Sequence, residues 1–170
     1  MNKLGICLVL NLLTLFLFQP VLAEDSASVR VTIQSELVSV TTNVSNLDYG
    51  LVLYGSSKKL DDAIIVTNSG NVPINVELSG SDAVEKTNSS KIWELVSGAP
   101  DTNKFRHGIG VDSTNYTWLT SADRSTIPAL NNVGASVSVP GVDLVLFAPL
   151  AGSNSGTFET NVYFRAVKAS

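Results

Sequence analysis

The feature that most limits what this chain can fold into is a two-residue rhythm of apolar side chains. Val72, Ile74, Val76 and Leu78 alternate with Pro73, Asn75, Glu77 and Ser79. Val29, Val31 and Ile33 alternate with Arg30 and Thr32, and Ala135, Val137 and Val139 with Ser136 and Ser138. Phe158, Thr160, Val162, Phe164 and Ala166 do the same with their neighbours near the C-terminus. Successive side chains of an extended chain point to opposite faces, so each stretch reads as a strand with one buried side. Two runs, "AIIVT" at 63–67 and "VDLVLFAPL" at 142–150, are continuously apolar. They read as central strands covered on both faces, or as strands at a subunit contact.

Turn signals separate these stretches. "YGSSKK" (54–59), "NSGN" (68–71), "SGSD" (79–82), "SGAPDTN" (97–103) and "AGSNSG" (151–156) are rich in Gly, Asn, Ser and Asp. Those residues tolerate tight turn conformations or bond their own backbone. "NSGN" between two apolar stretches suits a hairpin. With no ten-residue helical period to compete, the pattern predicts one antiparallel β-sandwich of about seven to nine strands. Residues 83–132 are patterned more weakly and predict long loops, one helical turn and a strand around "KIWELVS".

The first 23 residues read differently. Lys3 is followed by an apolar stretch from Leu4 to Phe18, then Pro20, then Val21-Leu22-Ala23. That is the layout of a secretory signal peptide cleaved after Ala23. A membrane-spanning helix needs about 20 apolar residues, and Glu24 and Asp25 follow where a basic stop-transfer cluster would stand. The domain then runs from 24 to 170, with no stable membrane insertion after cleavage. Cys7, the single cysteine, leaves with the signal. A cysteine-free exported domain has no disulfide, thiolate nucleophile or zinc–thiolate site, and must hold together by packing alone. The formal net charge is −4 with Lys3 included. An acidic surface argues against nucleic acid and anionic membrane as partners.

"LDYGLVLYGSSKKLDDAIIVTNSGNVPINVELSG" (47–80) resembles the immunoglobulin-like repeats of exported bacterial and archaeal surface proteins. The shared elements are Tyr49-Gly50, Gly55, Val66 and Asn68-Ser69-Gly70-Asn71. The tail "GSNSGTFETNVYFRAVKAS" resembles the closing strand of such a domain. The resemblance implies an immunoglobulin-like sandwich in an envelope or extracellular setting, and it carries over no catalytic residue. A cell-wall sorting motif and a second repeat are both missing from this sequence, so the resemblance brings no anchoring mechanism with it.

Chemistry-bearing residues are sparse. His107 in "KFRHGIG" is the single histidine and has no neighbouring His or Cys, so it reads as a loop or surface residue rather than a base or metal ligand. Asp61-Asp62 has no calcium-loop motif around it and reads as a solvated strand end. Catalytic, cofactor-binding and metal residues are therefore expected to be none. Tyr116 and Trp118 are two apart and would share a strand face. Together with Trp93 they form a candidate ligand platform, since flat aromatics stack sugar rings, although core packing uses the same residues. Sequons occur at Asn43, Asn88 and Asn115.

One segment suggests assembly. Val29, Val31 and Ile33 lie just behind the signal and could be the first strand of the domain, or a strand exchanged into a neighbouring subunit. Arg30, Glu36, Lys58 and Lys59 would guard exposed edges against unwanted pairing. The sequence thus predicts a non-enzymatic exported structural or surface component that self-assembles as a homo-oligomer or joins other envelope proteins. A glycan- or protein-binding adhesion module is the alternative, and a hydrolase is a distant third.

Overall fold

The computed structural model describes Arg30, residues 32–112 and residues 114–170. Residues 1–23, expected to be a signal peptide, lie outside the described residues, as do Val29 and Val31. The chain divides into two units, Met1–Gln34 and Ser35–Ser170. Within the first, Arg30 and residues 32–34 carry no regular secondary structure. The alternation expected to make a strand there is not expressed at Ile33, which is 89 % exposed. Among the described residues, no helix is long and apolar enough to cross a membrane.

The second unit is all-β. Its strands are β1 (Val40–Thr42), β2 (Ser57–Asn68), β3 (Ile74–Gly80), β4 (Ala83–Glu85), β5 (Ile92–Leu95), β6 (Lys104–Gly110), β7 (Thr117–Trp118), β8 (Ser138–Phe147), β9 (Phe158–Glu159) and β10 (Val162–Lys168). One 3-10 turn, Pro128–Leu130, supplies the expected helical turn. The strands form a curled eight-stranded sheet in the order β1-β2-β8-β6-β5-β4-β9, with β7 added to β6, and a two-stranded sheet, β10-β3. Among the described residues the ten strands exceed the expected seven to nine because β1, β4, β7 and β9 are only two or three residues long. The pairing is not purely antiparallel: β5 and β6 run parallel, through Glu94↔Lys104 and Leu95↔Phe105.

The core lies against the alternating faces of both sheets. From β3 it takes Ile74, Val76 and Leu78; from β2, Ile64 and Val66; from β6, Phe105 and Ile109; from β8, Val142, Leu144 and Leu146. The run 142–146 is buried without a break, as expected for the strand between β2 and β6. The run 63–67 departs from expectation. It lies inside the sheet, but Ile64 and Val66 point inward while Ile65 faces outward, so one of its faces is not covered.

"NSGN" is a corner, not a hairpin. β2 pairs with β1 and β8, whereas β3 pairs with β10, so the chain changes sheets between Asn68 and Ile74. Asn68 explains why the corner holds. Its side chain is fully buried, and Nδ2 donates to the carbonyls of Val72 (2.8 Å), Val133 (2.9 Å) and Gly134 (3.0 Å). Its Oδ1 accepts from the Gly70 amide at 2.9 Å. A short amide can bond several backbone groups of a tight corner at once, which an apolar residue cannot do. Asn71 ties down the incoming chain: Oδ1 accepts from the Leu37 amide at 2.6 Å, and Nδ2 donates to Ser35 O at 2.8 Å.

The C-terminal alternation is also split. β9 pairs with β4 in the large sheet, and after Thr160-Asn161 the chain continues as β10 in the small one.

Candidate functional site: an aromatic and cationic face on the large sheet

The densest grouping of chemistry-bearing side chains lies on the outer face of β2, β8, β6 and β7. Register sets it up. Lys59 pairs with Val145, Val145 with Gly108, and Gly108 with Trp118, so one residue from each of four strands stands in a row. Directly paired residues share a face. The rows beside it add Arg106 opposite Phe147 and Gly110 opposite Asp143.

The glycines make room for the aromatics. A Cβ at Gly108 would come within 2.7 Å of Trp118 Cζ3 and 2.9 Å of Val145 Cγ1, so the indole rests where a side chain would be. At Gly110 a Cβ would run into the Asn115 carbonyl first and then meet Tyr116 Cδ1 at 3.3 Å. The Tyr116 and Trp118 rings are 6.1 Å apart, so the structure brings this pair together. It does not bring Trp93 to them. Trp93 stacks on Phe158 at 4.0 Å and donates Nε1–H to Asn154 O at 2.9 Å, packed in its own cluster.

The exposed side of Trp118 is not bare. The Arg106 guanidinium lies 3.7 Å from the Trp118 ring centroid and 4.8 Å from that of Phe147, a cation–π stack on both rings. A sugar ring could stack on this indole only by displacing Arg106. Lys59 Nζ lies 5.9 Å from the Tyr116 centroid. Its ammonium is held above the ordinary lysine range by Asp61 first and by Asp143 further on. Asp143 is buried and also accepts the Asp62 amide at 2.7 Å. That contact holds the irregularity in the β2–β8 register, where Asp62 adopts a positive φ of 50°. Asp61-Asp62 is therefore a bulge within β2 rather than a strand end.

An open cleft of about 630 Å³ borders this face, lined by Tyr116, Trp118, Asp112, Asn115, Ile127 and Pro128 among others. Asp112 closes its loop by accepting from the Thr114 and Asn115 amides at 3.0 and 2.7 Å. Those bonds favour the carboxylate and pull its pKa down to about 2. A larger cleft of about 900 Å³ lies near β4 and β9, and its acids are engaged as well. There Asp82 accepts the Leu95 amide, Thr87 bonds Glu85 and holds its pKa down, and Glu159 pairs with Lys86. Among the described residues, no group of three or more His, Cys, Asp or Glu is placed to hold a metal.

His107 is neither in a loop nor at the surface. It lies on the core side of β6, 2 % exposed, between Phe105 and Ile109. Its Nε2 is 2.9 Å from Tyr49 Oη, and Nδ1 has no partner. Carrying the proton on Nε2 leaves a bare nitrogen in the core rather than an orphaned N–H, the cheaper arrangement. Burial pushes its pKa down to about 4. Burial first, with the Tyr116 phenol adding to it, pushes Tyr49 well above the ordinary tyrosine range. A neutral, enclosed Tyr–His pair that lines neither cleft has a packing role. The period-two signal for this strand, Phe105-His107-Ile109 against Arg106-Gly108-Gly110, was present in the sequence but carried by residues that are not conventionally apolar.

Compared with family models, curated proteins and solved structures, the chain matches none.

Proposed function

We propose that this protein is a non-enzymatic, exported structural component whose immunoglobulin-like sandwich self-assembles at the cell surface or in an extracellular matrix. The observation that carries the reading is an apolar patch at one end of the fold. Leu51 is 83 % exposed and Leu53 66 %, with Tyr54 and Leu150 also open to solvent. Backbone and side-chain bonds hold these loops side by side: Gly55 N–H donates to Pro149 O at 2.8 Å and Tyr54 Oη to Ser153 O at 3.1 Å. Exposed leucines on two loops that are bonded to each other are the composition of a contact surface. The engagement of the acids in both clefts by neighbouring donors further supports a structural reading over a catalytic one.

The test is the solution mass of the exported chain by light scattering over a wide concentration range. Growth with concentration, reduced by Leu51→Ser with Leu53→Ser, is expected. A strict monomer at every concentration overturns the reading.

A second reading, a glycan- or protein-binding adhesion module, is favoured by the cleft beside Tyr116 and Trp118. It predicts a change in tryptophan fluorescence on titration with a sugar panel that disappears in Trp118→Ala.

A further inference from the structure

The last strand of the fold has one satisfied edge. In β3, the Ile74 amide donates to Val133 O at 3.0 Å and the Leu78 amide to Ser125 O at 2.7 Å, on the side away from β10. Backbone groups of a strand alternate between its two edges. Asn75, Glu77 and Ser79 therefore aim at β10, where the register places Val167, Arg165 and Tyr163 opposite them. Of the remaining residues, Val162, Phe164 and Ala166 aim their N–H and C=O groups at the far edge, as does Lys168 at the strand end. Among the described residues, no strand pairs with that edge. The same three side chains stand opposite Gly80, Leu78 and Val76, on the core face, and are only partly buried. The one protective charge is Lys168 at the strand end, which the Glu36 carboxylate holds at 2.7 Å; from Val162 to Ala166 no charge points inward and no bulge or proline interrupts the edge.

The occupant that fits is an extended segment with one apolar face, and the chain carries such a segment. Val29, Val31 and Ile33 alternate with polar residues, and Ile33 is 89 % exposed. Resting on the assembly reading above, we infer that residues 28–34 of one copy add as a strand to the free edge of β10 in a second copy. The added strand bonds Val162, Phe164 and Ala166, and its valines and isoleucine complete the cover of Phe164. Donor segment and acceptor edge are different surfaces, so each copy donates to one neighbour and accepts from another. The contact is head-to-tail and propagates into a chain.

Two measurements test this on the exported chain, residues 24–170, which contains no native cysteine. In the first, a Thr32→Cys chain is mixed with a Tyr163→Cys chain and treated with a short bismaleimide, both positions lying on the outer face when Ile33 covers Phe164. An Asn88→Cys chain replaces the Tyr163→Cys chain as control. The expected result is a heterodimer from 32 with 163, with no such product from 32 with 88. The second is Ala166→Pro, which removes an N–H from the free edge and leaves the β3 ladder intact. Retained far-ultraviolet circular dichroism with loss of the concentration-dependent mass is expected. Particles that grow without a 32–163 product, or that grow unchanged in Ala166→Pro, overturn the edge and leave the assembly reading standing. A 32–163 link formed within one monomeric double-cysteine chain also overturns it, because the occupant is then the chain's own segment. A monomer at every concentration overturns both.

Discussion

Replacing Asn68 tests the corner on which the two sheets meet. The side chain is fully buried, and its amide serves three carbonyls, those of Val72, Val133 and Gly134. Asn68→Ala removes two donor hydrogens and the acceptor for Gly70 N–H. An unsatisfied buried polar group costs about 1–3 kcal/mol. The variant should therefore lose on the order of 2–5 kcal/mol, a large share of the ~5–15 kcal/mol typical of a domain. At about 2–4 °C per kcal/mol for a chain of this size, the melting temperature falls by roughly ten degrees. Asn68→Asp keeps the outline but turns a carboxylate toward the same carbonyls, so its folded-state pKa rises above the ordinary value near ~3.9. Its deficit is then largest at neutral pH and shrinks as pH falls through the raised pKa, whereas the Ala deficit is insensitive to pH. Urea denaturation followed by tryptophan emission measures both. An Asn68→Ala variant within about 1 kcal/mol of the parent, or an Asp variant with a pH-flat deficit, would refute the account of the corner.

Three further outcomes are expected. His107 has a folded pKa of about 4 against an ordinary 6.5, so the unfolded state takes up the proton first and stability falls as pH drops from 6.5 toward 4. The full displacement is equivalent to about 3 kcal/mol, and comparing urea midpoints for His107→Leu and the parent at pH 7 and pH 4 should show the variant losing less. Gly108→Ala forces the Trp118 indole off the sheet at a cost of about 1–3 kcal/mol and shifts its emission to the red; unchanged emission would contradict the packing. Asp143→Ala frees the Asp62 amide, which should then exchange with deuterium faster than its neighbours in β2, and equal protection in both proteins would count against the bulge clamp.

The alternation at 72–78 and in the C-terminal tail, with the apolar run at 142–150, made the all-β class legible, because burial leaves a direct trace in the order of residues. Where the strands pair left no such trace. Asn68-Ser69-Gly70-Asn71 has the composition of a hairpin turn, yet β3 finds its partner in β10, more than eighty residues away. A turn sequence reports its local conformation and not which sheet the next strand joins. β6 went unread because a histidine holds a core position and two glycines hold the outer ones, a substitution that makes sense only once Trp118 and Tyr116 cover them. The Tyr116–Trp118 pair followed from spacing alone. Trp93 did not belong with them, since its ring partner Phe158 is distant in the chain.

The split tail has a kinetic consequence. β9 is paired with β4 and β10 with β3, so both partnerships wait for the last dozen residues to be delivered. Until then β3 has only its isolated bridges to Val133 and Ser125 on one edge and no strand on the other, and the large sheet lacks its final strand. Contacts this far apart in sequence close slowly. A chain fed out from its N-terminus stays without its finished fold until residues 158–168 have emerged. Removing residues 158–170 should therefore leave a collapsed, protease-sensitive chain rather than a slightly shortened domain.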